Sequence, residues 1–196
     1  MAGAFIYYAA GQFHTVGNPG SEAAAYLMLK WAAPATRRPG LLGSSVVQHG
    51  HRQAPADAGP FWTQVLLEGA TANLGRFHSH LTVLAPGAGY EPHVDGYDVA
   101  LITLEGTVET LGQRVEPHSV VYYAAGEPHG IRNVGAGPAR YLAFEFHAPG
   151  VNLLAHEEPL ARVAARRALG MGRRLVQPIW KRLQAQAASW TGAGAP

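Results

Sequence analysis

From about Phe61 to His147, short runs of apolar, β-branched and aromatic residues are separated by Gly, Pro and Asp. They predict strands over 63–68, 77–84, 99–104, 107–111, 120–123 and 139–147, with turns at Pro86-Gly87, Glu105-Gly106, Ala125-Gly126 and 135–138. Many short strands with tight turns and no helix between them predict an all-β sandwich or barrel. Residues 35–60, rich in Pro, Gly and Ala, read as a linker, and after Gly150 the pattern turns helical. Asn152 is placed to cap a first helix with Glu157 and Glu158 in its early turns, while Gly170, Gly172 and Pro178 break the remainder of the tail into short helices.

The chain also repeats itself. Residues 5–34 align without a gap on residues 120–149, with thirteen of thirty positions identical, among them Tyr7/Tyr122, Gly11/Gly126, His14/His129 and Asn18/Asn133. The spacing of 115 residues is the length of a small domain, so the expectation is one complete unit over 61–149 preceded by the back half of another over 1–34. The front half of that first unit would lie before Met1, making residues 1–34 the remnant of a two-unit ancestor or the product of a shortened reading frame. Their expected strands, 4–9 and 24–32, carry apolar side chains that need covering. They are expected to add to the edge of the complete unit or to pair across a homodimer.

Composition narrows the class. With 196 residues, 47% of them hydrophobic, the chain has side chain enough for one good core and not for two large ones. Cysteine is absent, which removes disulfides and thiolate metal sites. No apolar run approaches the roughly 20 residues of a membrane span, and the amino terminus lacks the basic region of a secretion signal, so a cytoplasmic protein is expected. Net charge is uneven: residues 1–150 hold eight Lys/Arg against eleven Asp/Glu (−3), whereas 151–196 hold seven against two (+5). The slightly acidic globular part argues against nucleic-acid binding. In the tail, Arg162, Arg166, Arg167, Arg173, Arg174, Lys181 and Arg182 alternate with Leu160, Val163, Leu169, Leu175, Ile179, Trp180 and Leu183. Such a pattern suits a helix on the barrel's outside, an acidic partner or peripheral contact with an anionic membrane.

Candidate chemistry sits on GAGYEPHVDGYDVALITLEG (87–106) and PHSVVYYAAGEPHGIRN (117–133). Side chains two apart on a strand face the same way, so His93 and Asp95 can point into a barrel together, and His129 from a neighbouring strand can join them. Three such groups make a facial metal site with open positions. Over residues 61–148 the two stretches resemble the paired motifs of the cupin superfamily. Gly87, His93 and Gly106 keep the spacing of its first motif, and Gly126, His129 and Asn133 that of its second. The resemblance implies a cupin-type jelly-roll barrel with a short helical tail, holding one divalent transition metal.

Two positions depart from that pattern. Asp95 stands where the family usually has a second histidine, and Val99 where it has a ligand glutamate. Asp98, one position early, becomes a ligand if the turn at Asp95-Gly96 shifts the register; otherwise strand parity turns it away. Two histidines and a carboxylate suit iron or manganese best, with nickel or zinc as alternatives. The same H-x-D with a distal histidine resembles the 2-oxoglutarate oxygenases, with Arg140 near the place of their co-substrate arginine, although the glycine framework favours the cupin assignment.

Around these ligands, His78 and His80 share one face of a strand, facing substrate or metal if that face is the cavity and solvent if it is not. Tyr97, Tyr122, Glu145 and His147 are candidate cavity-lining groups, with Tyr97 or Glu145 assisting proton transfer. Glu127 and Arg132 flank His129 in an expected loop at the barrel mouth, placed to meet a charged substrate. The leading expectation is a metal-dependent enzyme, an oxygenase or isomerase, acting on a small polar molecule. The alternative is a non-catalytic, sugar-binding accessory protein. GEPHGIRN and DVALITLEG resemble bacterial cupins of polysaccharide or glycosyltransferase gene neighbourhoods, which implies a sugar-related ligand.

Overall fold

Strand alternation sorts the side chains of this molecule onto two different cores. In the computed structural model, which describes residues 3–34, 40–50, 53–149 and the backbone of 158 and 159, the elements in chain order are β1 (Ala4–Tyr7), β2 (Ser45–Gln48), β3 (Phe61–Gly69), β4 (Arg76–Leu84), β5 (Gly89–Val94), β6 (Asp98–Glu105), β7 (Val108–Thr110), β8 (Gln113–Val115), β9 (Val120–Tyr123), β10 (Pro128–Asn133), β11 (Ala139–His147) and β12 (Glu158–Pro159). One five-stranded sheet runs β3-β4-β11-β6-β9, the other β12-β5-β10-β7-β8, and β1 pairs with β2. All strand pairs are antiparallel.

Leu84, Val99, Leu101, Val121, Tyr123, Tyr141 and Ala143 of the first sheet pack against Val108 and Ile131 of the second, so the sheets close face to face as a jelly-roll sandwich. The opposite face of the first sheet carries Phe77, Leu81, Ala100, Ile102, Leu142 and Phe144, forming a second core with Tyr7 and Leu74. Aromatic side chains from the amino-terminal segment cover it. Trp31 lies 5.1 Å from Phe77 and 5.3 Å from Phe146, and Phe5 lies 5.4 Å from Phe144, ring centre to ring centre. Such pairs add about 0.5–1.5 kcal/mol each beyond the area they bury.

The expected strands over 61–147 all appear, with ends shifted by a residue or two. β8 is not among the expected strands, and β5 and β10 extend around His93 and His129 through Gly89, Pro92, Pro128 and Gly130, which read as turn residues. Residues 4–9 do not extend either large sheet. β1 instead pairs Ala4 to Tyr7 with Gln48 to Ser45, inside the expected linker, and lies over a sheet face. No strand forms over 24–32, where Leu29 and Trp31 pack on that same face. Glu158, expected in a helix, pairs with Val94 in β12, where the open edge of β5 offers backbone partners. The rest of the expected basic helical tail lies outside the described residues. Among the described residues no helix is long and apolar enough to cross a membrane.

Candidate metal centre

β5 and β10 pair His93 with His129 and then Tyr90 with Ile131, three steps on one strand against two on the other. The extra residue is a β-bulge. It restores Tyr90 and His93 to the same side, facing the interior occupied by Ile131 and Tyr123. Pro92 has no N–H to lose, so a bulge is where a strand tolerates it. Gly130 lets the bulge close, since a Cβ there would stand 2.9 Å from the Tyr90 oxygen and 3.0 Å from the Pro92 nitrogen. Just past β5, the Asp95 carbonyl accepts a 2.8 Å hydrogen bond from the N–H of Gly126, whose φ of 81° permits that turn. The two sequence motifs are thereby tied together.

Three donor atoms of His93, Asp95 and His129 lie within 4.8 Å of one another. Asp95 Oδ2 is 3.3 Å from His129 Nε2 and 3.6 Å from His93 Nε2. Ligands about 2.1 Å from one ion at tetrahedral or octahedral angles stand roughly 3.0–3.4 Å apart, close to what is found. His129 Nδ1 is 2.9 Å from the Glu127 carbonyl and His93 Nδ1 is 3.3 Å from that of Glu91, so each Nδ1–H donates to backbone and leaves an Nε2 lone pair aimed inward. His129 also stacks on Tyr123 at 3.9 Å. Asp95 is buried, and its Oδ1 has no hydrogen-bond partner in the protein. Burial raises the carboxyl's pKa, but His129 and His93, in the forms that carry a proton on Nε2, donate to it and outweigh this, holding it down at about 2. An ionised, half-satisfied carboxylate beside two imidazoles fits a divalent transition metal.

Asp98 does not join them. It lies on the outer face of β6 with Ala100, and its Oδ1 accepts the N–H of Ala125 at 2.8 Å, so the turn brings no register shift that would aim it inward.

A second polar group lines the other sheet. Strand parity with Leu84, Tyr141 and Ala143 puts His78, His80, Glu145 and His147 on the interior face, not toward solvent. His78 Nε2 is 3.1 Å from His80 Nδ1, and Glu145 Oε2 is 2.9 Å from His147 Nε2. Burial pushes His80 down to about 4, against the pull of Glu145. Burial raises Glu145, but the bond from His147 and the neighbouring imidazoles bring its net shift below the ordinary value. Tyr97 is buried with its ring 3.8 Å from that of His147.

The remaining candidates fall elsewhere. Tyr122 is exposed on the outer face of β9 beside Asp98, because its neighbour Tyr123 takes the interior position. Glu127 lies in the turn before β10 and accepts the N–H of Ala124 at 3.2 Å. Arg132 is in β10, not a loop, and donates to the Gly87 carbonyl at 3.2 Å. Arg140 alternates to the outer face, 3.7 Å from Glu105, which removes it as a co-substrate arginine. Missed from sequence were Glu68, 2.6 Å from His78 Nδ1, and Arg76, 3.0 Å from Glu68. Only the pairing of Glu68 with His78 across β3 and β4 brings them in, and no spacing in the chain encodes it.

No family model matches the chain, and no curated protein does. Among solved structures, it is similar to the Cupin_2 domain of an XRE family transcriptional regulator from Enterobacter cloacae, at 24% identity and a TM-score of 0.40, over 46% of this chain and 99% of that one. It is also similar to the polyketide cyclase RemF from Streptomyces resistomycificus, at 17% identity and a TM-score of 0.40, over 48% and 74% of the two chains. A third is a sugar phosphate isomerase of the cupin superfamily from Silicibacter pomeroyi, at 25% identity and a TM-score of 0.35, over 37% and 52%.

Proposed function

Starting from a cupin-type jelly roll with two imidazoles and a carboxylate converging inside it, we propose that this protein is a metal-dependent enzyme acting on a small polar molecule. His93, Asp95 and His129 hold one divalent transition metal, iron or manganese by preference for this donor set. The observation that carries the proposal is the aim of the donors: both Nδ1 atoms are tied back to carbonyls while both Nε2 atoms face Asp95 Oδ2. When bound, such an ion supplies Lewis-acid polarisation of a substrate oxygen.

The chain's own residues do the rest. Asp95 contributes the negative charge that offsets the cation, and Tyr123 stacked on His129 keeps that imidazole's plane fixed. Polar side chains of β4 and β11 line the interior opposite, which suits a hydrophilic substrate better than an apolar one. The test is elemental analysis of the purified protein beside Asp95→Ala and His129→Ala. Each variant is expected to carry one metal ion per chain fewer than the parent, the ion lost being the one at the triad. A parent that stays metal-free after reconstitution overturns the enzyme reading and leaves a non-catalytic binding role.

A further inference from the structure

We propose that His78, His80 and Glu145 form a second site for a divalent transition ion, separate from the triad of β5 and β10. The donors come from the adjacent strands β4 and β11, where Glu145 pairs with His78 and the small Ala143 pairs with His80. One ligand atom from each lies within 4.8 Å of the other two. The site shares no residue with the first and stands on the opposite sheet.

What distinguishes it from a chance gathering of polar groups is its outer support. Glu68 Oε2 lies 2.6 Å from His78 Nδ1 and is itself held by Arg76 at 3.0 Å. A carboxylate accepting from Nδ1–H fixes the tautomer that leaves Nε2 as a donor to metal, and such carboxylate–histidine pairs typically back metal ligands. On the other side, His147 binds Glu145 Oε2 at 2.9 Å, which leaves Oε1 facing His80. Oε1 and His80 Nδ1 are 3.9 Å apart, beyond hydrogen-bond reach and about half an ångström wider than two ligands at a tetrahedral angle on one ion, so the pair closes slightly on an ion. Two imidazole nitrogens and one carboxylate oxygen with a position left open, the donor set of the triad over again, suit a divalent first-row transition ion. In this assignment Glu145 is a ligand, not the proton carrier expected from sequence.

The test uses the full chain, stripped with chelator and reloaded with Zn²⁺ or Co²⁺. Metal per chain is measured for the parent, for Asp95→Ala/His129→Ala and for His78→Ala/His80→Ala. Expected are two ions in the parent and one in each double variant, with the Co²⁺ visible spectra of the two variants summing to that of the parent. Equal loading of the parent and His78→Ala/His80→Ala overturns the second site, as does complete loss in Asp95→Ala/His129→Ala. A single ion kept by Asp95→Ala/His129→Ala and lost by His78→Ala/His80→Ala supports it while overturning the triad. Folding is checked on the intact second site: Zn²⁺ should raise the thermal midpoint of Asp95→Ala/His129→Ala, and no rise counts against the proposal.

Discussion

Residues 8–22 and 123–137 align without a gap with seven of fifteen positions identical, and the structure gives them the same local hydrogen bonds in opposite surroundings. The N–H of Gln12 donates to Ala9 at 3.0 Å and that of Glu127 to Ala124 at 2.9 Å. His14 Nδ1 lies 2.8 Å from the carbonyl of Gln12, as His129 Nδ1 lies 2.9 Å from that of Glu127. Tyr8 stacks on His14 at 4.0 Å, and Tyr123 on His129 at 3.9 Å. Asn18 binds Gly20 and Glu22 as Asn133 binds Gly135 and Gly137. Gly11 and Gly126 share a left-handed φ, 76° and 81°. Yet His14 is exposed while His129 is 4% exposed. Only Asn133 reaches across the fold, to the Leu84 carbonyl at 3.0 Å. The short-range conformation belongs to the sequence; burial and a carboxylate partner come from strands that only the second copy has around it.

The widest gap should appear in metal binding. His129→Ala is expected to abolish the triad's metal, whereas His14→Ala leaves loading per chain unchanged, both read by elemental analysis. A second contrast concerns the polar interior that the first copy lacks. His80 sits below its ordinary 6.5, at about 4, so between those values the unfolded chain binds protons that the folded chain does not. Stability is therefore full above pH 6.5 and falls as pH drops toward 4, by on the order of 3 kcal/mol at about 1.4 kcal/mol per unit. Urea melts of the chelator-treated protein at about pH 7 and about pH 4.5 should show this fall, and His80→Gln should flatten it. Third, Asn133→Ala strands the buried Leu84 carbonyl and should cost about 2 kcal/mol, against less than about 0.5 for Asn18→Ala. The smallest difference should lie between Gly126→Ala, at about 1 kcal/mol for a side chain at positive φ, and Gly11→Ala, which strains a turn the barrel does not depend on. Equal costs at either pair would mean that the first copy is as firmly held as the second.

The same division explains which parts of the molecule are legible in the sequence. Strand runs such as 77–84 and 139–147, the turn glycines and the convergence of His93, Asp95 and His129 follow from period and spacing, which are properties of neighbours in the chain. Before His93 the extent of β5 is hidden because Gly89 and Pro92 are poor strand residues, and only a bulge against Gly130 makes them acceptable. The interior direction of His78 and His80 depends on which face of β4 the amino-terminal aromatics cover, a choice made far away in sequence. Glu68 joins His78 through strand pairing alone.

The aromatic lid formed by Phe5, Tyr7 and Trp31 bears on how the molecule can be cut. Trimming the chain to residues 61–149, the span of its motifs, would keep every strand that bears a candidate ligand. It would also lay bare Phe77, Leu81, Phe144 and Phe146 as one contiguous oily surface. Such a fragment is expected to precipitate on expression while the intact chain remains in solution. The opening residues then act as a built-in solubiliser, and dissecting the protein works better by point substitution than by truncation.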